Sequence, residues 1–247
     1  MRGPVFSVAA LLAAALHGGV QAQTTCALSS PPRVIASEGP KLVQVWNVPD
    51  ATVYWSNADP ADAAFDDFKA GVARNVRVTD PVALLRASPG FDNPRLKANN
   101  ALVADRAEAW IAPADCLEKL LMTVQHKRVD TFVRPTEFAA LVLRSPDGAR
   151  LRIYYLTIDA DGIGRMSPLT EPARADVKAG WRIEIALHNH SFHPGQPSLD
   201  GVIAPSEADA QFAANLAAEA GLQSAWITNG LHTSRIPASA FGLFTAP

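Results

Sequence analysis

The chain has 247 residues, a formal net charge of -2 and 48% apolar side chains. The near balance of charge excludes the basic excess that marks a nucleic-acid-binding surface, so no nucleic-acid partner is expected. The apolar share is large enough for a packed core, in one large domain or two small ones.

Met1-Arg2 is followed by an apolar run, Val8 to Leu16, and then by small residues ending Val20-Gln21-Ala22. A basic start, a short apolar core and a small-x-small end predict a secretory signal peptide over residues 1–22. The other reading of this stretch is a buried N-terminal helix. The run is too short for a bilayer, which takes roughly 20 residues, and no later segment is long enough, so no membrane span is expected. The expected location is secreted or periplasmic, with the mature chain starting near Gln23. Cys26 and Cys116 are the two cysteines. In an oxidising compartment they predict one disulfide, with a pair of buried thiols as the alternative.

Residues 23–40 are rich in Ser, Pro and small residues and predict an extended leader. Lys41–Trp46 alternates like a strand, and Thr52–Trp55 reads as a second strand after the Pro49-Asp50 turn. Asp59-Pro60 predicts the start of a helix running through Phe65 and Phe68. Residues 86–100 contain Ser88-Pro89-Gly90, Asn93-Pro94 and Asn99-Asn100 and predict a loop. From Cys116 to Val124, Leu117, Leu120, Leu121 and Val124 recur with helical spacing. Phe138–Leu143 predicts a buried strand, Ser145–Gly148 a turn and Leu151–Leu156 the returning strand. Trp181–Leu187 predicts another strand. Residues 206–220 predict a helix ended by Gly221, and Ala225–Thr228 a strand after it. Such a mixture is α/β or α+β.

Four of the six histidines fall in the last 60 residues: His188, His190, His193 and His232. On a strand, residues i and i+2 share a face with Cβ atoms roughly 6–7 Å apart, so His188 and His190 can reach one ion. Catalytic zinc takes three protein ligands and keeps one position open, so a third donor must come from elsewhere. Asp209, in Ser206-Glu207-Ala208-Asp209, is a candidate one turn into the expected helix. The same Ser-x-x-Asp pattern is also close to a capping box, which satisfies free backbone N–H groups at a helix start. His193 is a further ligand candidate, although its position before Pro194 suggests a loop, and His232 reads as a strand or cleft-wall residue. Asp159-Ala160-Asp161-Gly162 lacks the remaining ligands of a calcium loop and reads as a turn.

The order His188-x-His190, then Ser206-x-x-Asp209, with Glu137 heading an earlier apolar strand, resembles the signature of JAMM (MPN-type) zinc metallopeptidases. Leu187-His188-Asn189-His190 also resembles the JAB-like branch of that family. The resemblance covers about residues 117–242. It implies a cytidine-deaminase-like α/β sandwich over residues 116–247; the region 23–115, which it does not cover and which carries no motif tied to chemistry, reads as a small accessory domain of unknown role. The resemblance also implies zinc held by His188, His190 and Asp209, with Glu137 as the proton-transfer group and Ser206 as a donor to the oxyanion. The implied activity is hydrolysis of peptide or isopeptide amides, with a peptide or protein as substrate. A metal-binding domain without catalysis, used to bind a partner, is the alternative. One departure stands out. Fifteen residues, Ser191 to Pro205, separate His190 from Ser206, more than the family usually has. Ser198 stands nearer, but three residues later is Gly201, which has no donor side chain. Residues 191–204 are therefore expected to form an inserted loop over the site.

Overall fold

The computed structural model describes residues 24–38, 41–88, 93–106, 108–158, 166–193 and 200–245. The expected signal peptide, the Asp159–Gly162 turn and residues 194–199 of the expected loop lie outside them.

In chain order the elements are β1 (Arg33–Glu38), β2 (Lys41–Pro49), a 3-10 turn (Thr52–Trp55), α1 (Ala63–Asn75), α2 (Pro81–Ala87), α3 (Pro94–Ala104), β3 (Trp110–Pro113) and α4 (Cys116–Arg128). Then come β4 (Phe138–Arg144), β5 (Arg150–Ile158), α5 (Ser167–Lys178), β6 (Arg182–Asn189), α6 (Glu207–Ala220), β7 (Ser224–Thr228), β8 (His232–Pro237) and α7 (Phe241–Thr245). The strands form one mixed sheet in the order β1-β2-β5-β4-β6-β7-β8-β3. The pairings are antiparallel except β6 with β7, which is parallel. A parallel pair needs a long crossover, and α6 supplies it.

Alternation sorts the strand side chains between the two faces of the sheet. On β4, Ala139, Leu141 and Leu143 enter one core cluster, while Phe138, Ala140 and Val142 enter the other. Helices α3, α5, α6 and α7 cover the first face; α1 and α4 cover the second. The fold class is thus mixed α/β. Strands before residue 115 join this same sheet: β2 pairs with β5 along its whole length, and β3 pairs with β8. The Cys26–Cys116 disulfide is present, with Cα atoms 5.7 Å apart.

Four local expectations are corrected. Thr52–Trp55 forms a 3-10 turn rather than a strand. Both edges of β2 are already occupied by β1 and β5, so no edge is left there to pair. Its apolar side chains are instead buried from a tight turn, with Val53 and Tyr54 in the core. The helix expected from Asp59-Pro60 begins later, at Ala63, where the Asp62 carboxylate accepts the Ala64 N–H at 3.0 Å. The loop expected over 86–100 contains the end of α2 and much of α3. Asn93 caps α3 by accepting the Arg95 N–H at 2.9 Å, and Pro94 occupies its first turn. Asn and Pro in that order start a helix as readily as they make a turn. Part of the leader, Arg33–Glu38, is an edge strand.

Candidate metal centre

β6 is apolar from Ile185 to Leu187, and then His188, Asn189 and, just past the strand end, His190 follow one another. Antiparallel pairing sets Ala139 of β4 opposite His188. Continued by two residues, that register brings Glu137 opposite His190. The His190 N–H donates to Thr228 O at 2.9 Å, which carries the β6–β7 pairing one step past the strand end. The crossover then returns through α6, whose N-terminus stands beside the histidines.

His188 Nε2 lies 3.2 Å from His190 Nε2. Asp209 Oδ2 lies 3.4 Å from His188 Nε2 and 3.6 Å from His190 Nε2. Tetrahedral zinc with nitrogen and oxygen donors at about 2.0–2.1 Å sets neighbouring donors about 3.3 Å apart. The triangle matches that spacing, and among the described residues these three side chains form a group that could hold a metal ion. The donor set of two imidazoles and one carboxylate suits zinc without singling it out from other divalent transition metals.

The surroundings orient His190 and Asp209. His190 Nδ1 is 2.6 Å from the Val202 carbonyl, so this nitrogen carries a hydrogen and Nε2 is the nitrogen that would meet a metal ion. Ser206 is the N-cap of α6. Its backbone N–H and its hydroxyl both donate to Asp209 Oδ2, at 2.8 and 2.6 Å, and its Oγ accepts the Asp209 N–H at 3.2 Å. The capping box and the donor group thus coexist in one pair of residues. Burial alone would raise the Asp209 carboxyl, but the His188 and His190 rings hold it well below the usual carboxylate range. Burial would likewise lower His190; Asp209 first, then Glu137 and the Val202 carbonyl, push it up to about 9 instead.

Glu137, His188, His190, Ser206 and Asp209 all line one cavity. His193 also lines it, with its backbone N–H donating to Asp200 Oδ1 at 2.9 Å, but His193 is not part of the donor group. His232 begins β8, and its buried Nδ1 has no hydrogen-bond partner among the described residues.

Asn189 is the residue that sequence reasoning passed over. Alternation sends it to the face opposite the two histidines, where it is fully buried. Its Oδ1 accepts the Phe138 N–H at 2.6 Å, and its Nδ2 donates to the Thr136 carbonyl at 3.1 Å. The Ser191 hydroxyl donates to the same carbonyl at 2.7 Å. The backbone on both sides of Glu137 is therefore fastened to the strand that carries the histidines. An amide on the strand face otherwise carried by Ile183, Ile185 and Leu187 was the available signal, since a buried amide must find partners.

No family model, curated protein or solved structure matches the chain.

Proposed function

We propose that this chain is an exported zinc-dependent hydrolase of the JAMM-like kind, cleaving peptide or isopeptide amide bonds, with residues 116–247 carrying the chemistry on a cytidine-deaminase-like α/β arrangement. The observation that carries the reading is the tetrahedral spacing of His188, His190 and Asp209 beside Glu137 in one cavity.

When bound, zinc supplies Lewis acidity, polarising a carbonyl and lowering the pKa of a water toward about 7. The chain's own groups do the rest. Glu137, held at the head of β4, takes a proton from the attacking water and delivers it to the leaving amine. Ser206 donates to the oxyanion once its hydroxyl hydrogen turns from Asp209 Oδ2. Until then the same hydroxyl orients Asp209. His190 is fixed through Val202 so that Nε2 faces inward.

The decisive experiment is Glu137→Gln. General acid–base groups contribute about 10²–10⁴ in rate, so this variant should bind zinc with unchanged stoichiometry and lose amide hydrolysis by that order. Unchanged hydrolysis removes Glu137 from the mechanism. Full zinc loading with no hydrolysis by the unaltered protein, over a broad panel of peptides and isopeptides, leaves a metal-binding domain that serves a partner.

A further inference from the structure

The cavity beside the donor group is larger than three ligands and a water require. Its volume is about 680 Å³, within the ~300–1,000 Å³ of pockets that bury a drug-sized ligand. Beyond the donor group the wall is mostly apolar, with Leu96, Val202, Phe212, Ile227, Phe241 and Phe244 contributing. The space exists because facing positions carry the smallest apolar side chain: Ala186 of β6 and Ala225 of β7 on the sheet, Ala213 of α6 opposite. Close-packed interiors fill such gaps unless something else occupies them. α3 supplies Leu96 and Asn100, so the chain before residue 115 builds part of this wall. The Asn99 amide also donates to the Pro205 carbonyl at 2.9 Å, fastening α3 next to Ser206.

A wall of this kind discriminates by chemistry. A polar group buried against it leaves its hydrogen bonds unmade, at several kcal/mol on water-to-hydrocarbon scales. Each buried methylene gains ~0.8 kcal/mol. We infer that the substrate is an amide bearing an extended apolar group, an acyl chain of medium length in its simplest form. That group fills the cavity among α3, α6, α7 and the sheet, while the amide lies at His188, His190 and Asp209. The inference rests on the hydrolase reading for its chemistry, but the pocket can be tested without it.

Binding of a series of straight-chain amides, butanamide to octanamide, to chelator-treated protein reads the pocket alone. By calorimetry, affinity should rise about fourfold for each added methylene. Ala213→Phe fills the cavity and should abolish octanamide binding with zinc occupancy unchanged; Ala225→Leu serves where that variant does not fold. In the zinc-loaded protein, kcat/KM on anilides should climb from the acetyl to the octanoyl compound. Absence of saturable octanamide binding to folded protein overturns the inference and leaves the hydrolase reading standing. Octanamide binding that Ala213→Phe removes, with no hydrolysis of any amide, supports the pocket and removes the hydrolase reading instead.

Discussion

Glu118, in the first turn of α4, is fully buried, with its carboxylate against the Thr233 hydroxyl. Its Oε2 accepts the Asp115 N–H and lies 3.3 Å from the Arg235 guanidinium. Burial outweighs these contacts and pushes its carboxyl up to about 7 from 4.5. A raised folded-state value means that the native state holds the proton more tightly. Its contribution is therefore present below about pH 4.5 and lost as pH rises to about 7, by roughly 3 kcal/mol at 1.36 kcal/mol per unit. Glu118→Gln should flatten that part of the stability–pH curve in denaturant titrations from pH 4.5 to 8; a curve parallel to the unaltered protein's would place the proton elsewhere. In the donor group, Asp209→Ala should strip most bound zinc in metal analysis while His193→Ala retains it, and the reverse result would reassign the third ligand. The histidine pair was readable in the sequence because strand spacing alone puts two imidazoles on one face. Asp209 needed a second element to bring it there, and two readings of Ser206–Asp209 competed. The capping box is present, and the same Asp209 oxygen that accepts from Ser206 faces the two imidazoles. The part played by Asn189 was hidden because the two partners that matter here, Phe138 N–H and the Thr136 carbonyl, are backbone groups about fifty residues away.

At the scale of elements, β4, β5, β6, α4, α6 and β7 follow from apolar periodicity and their turn residues. Gly221, at φ 70°, ends α6 where a left-handed residue is needed. β3, β8, α5 and α7 escaped prediction. α5 carries Pro172 within it, and β3 and β8 are short strands of mixed polarity, β3 paired with β8 and β8 also with β7. Tertiary pairing, not local preference, selects them. α6 offers the clearest test at this scale because its cap also holds Asp209, the third side chain of the proposed metal site. Ser206→Ala should destabilise the fold by about 1 kcal/mol through loss of the cap. It should also weaken zinc binding by about 10–100-fold through loss of the contact that orients Asp209. Thermal unfolding and competition with a chelator measure the two effects separately. Loss of stability without loss of affinity would confine Ser206 to capping.

Across the whole molecule, the disulfide joins the segment before β1 to the first residue of α4. No helix among the described residues is long and apolar enough to cross a membrane. The bond closes a separation of 90 residues, and a crosslink over a loop of this length contributes about 2–5 kcal/mol. The Cys26→Ala, Cys116→Ala double variant should unfold at correspondingly lower denaturant, while reduction of the unaltered protein should reproduce the shift. An unchanged midpoint would mean that the N-terminal segment is held by packing alone.

The clamp around Glu137 and the cap around Asp209 belong to two different bodies. Asn189 and Ser191 lock Glu137 and both histidines into the sheet, whereas Asp209 rides on α6 with Ser206. Were α6 to move away from the sheet, the donor triangle would open at its aspartate corner, with His188 and His190 left together at the end of β6. A metal ion held by all three side chains would then act as a rivet across that seam. It would fasten the crossover helix to the strand it follows, and with it the roof of the apolar cavity to its floor.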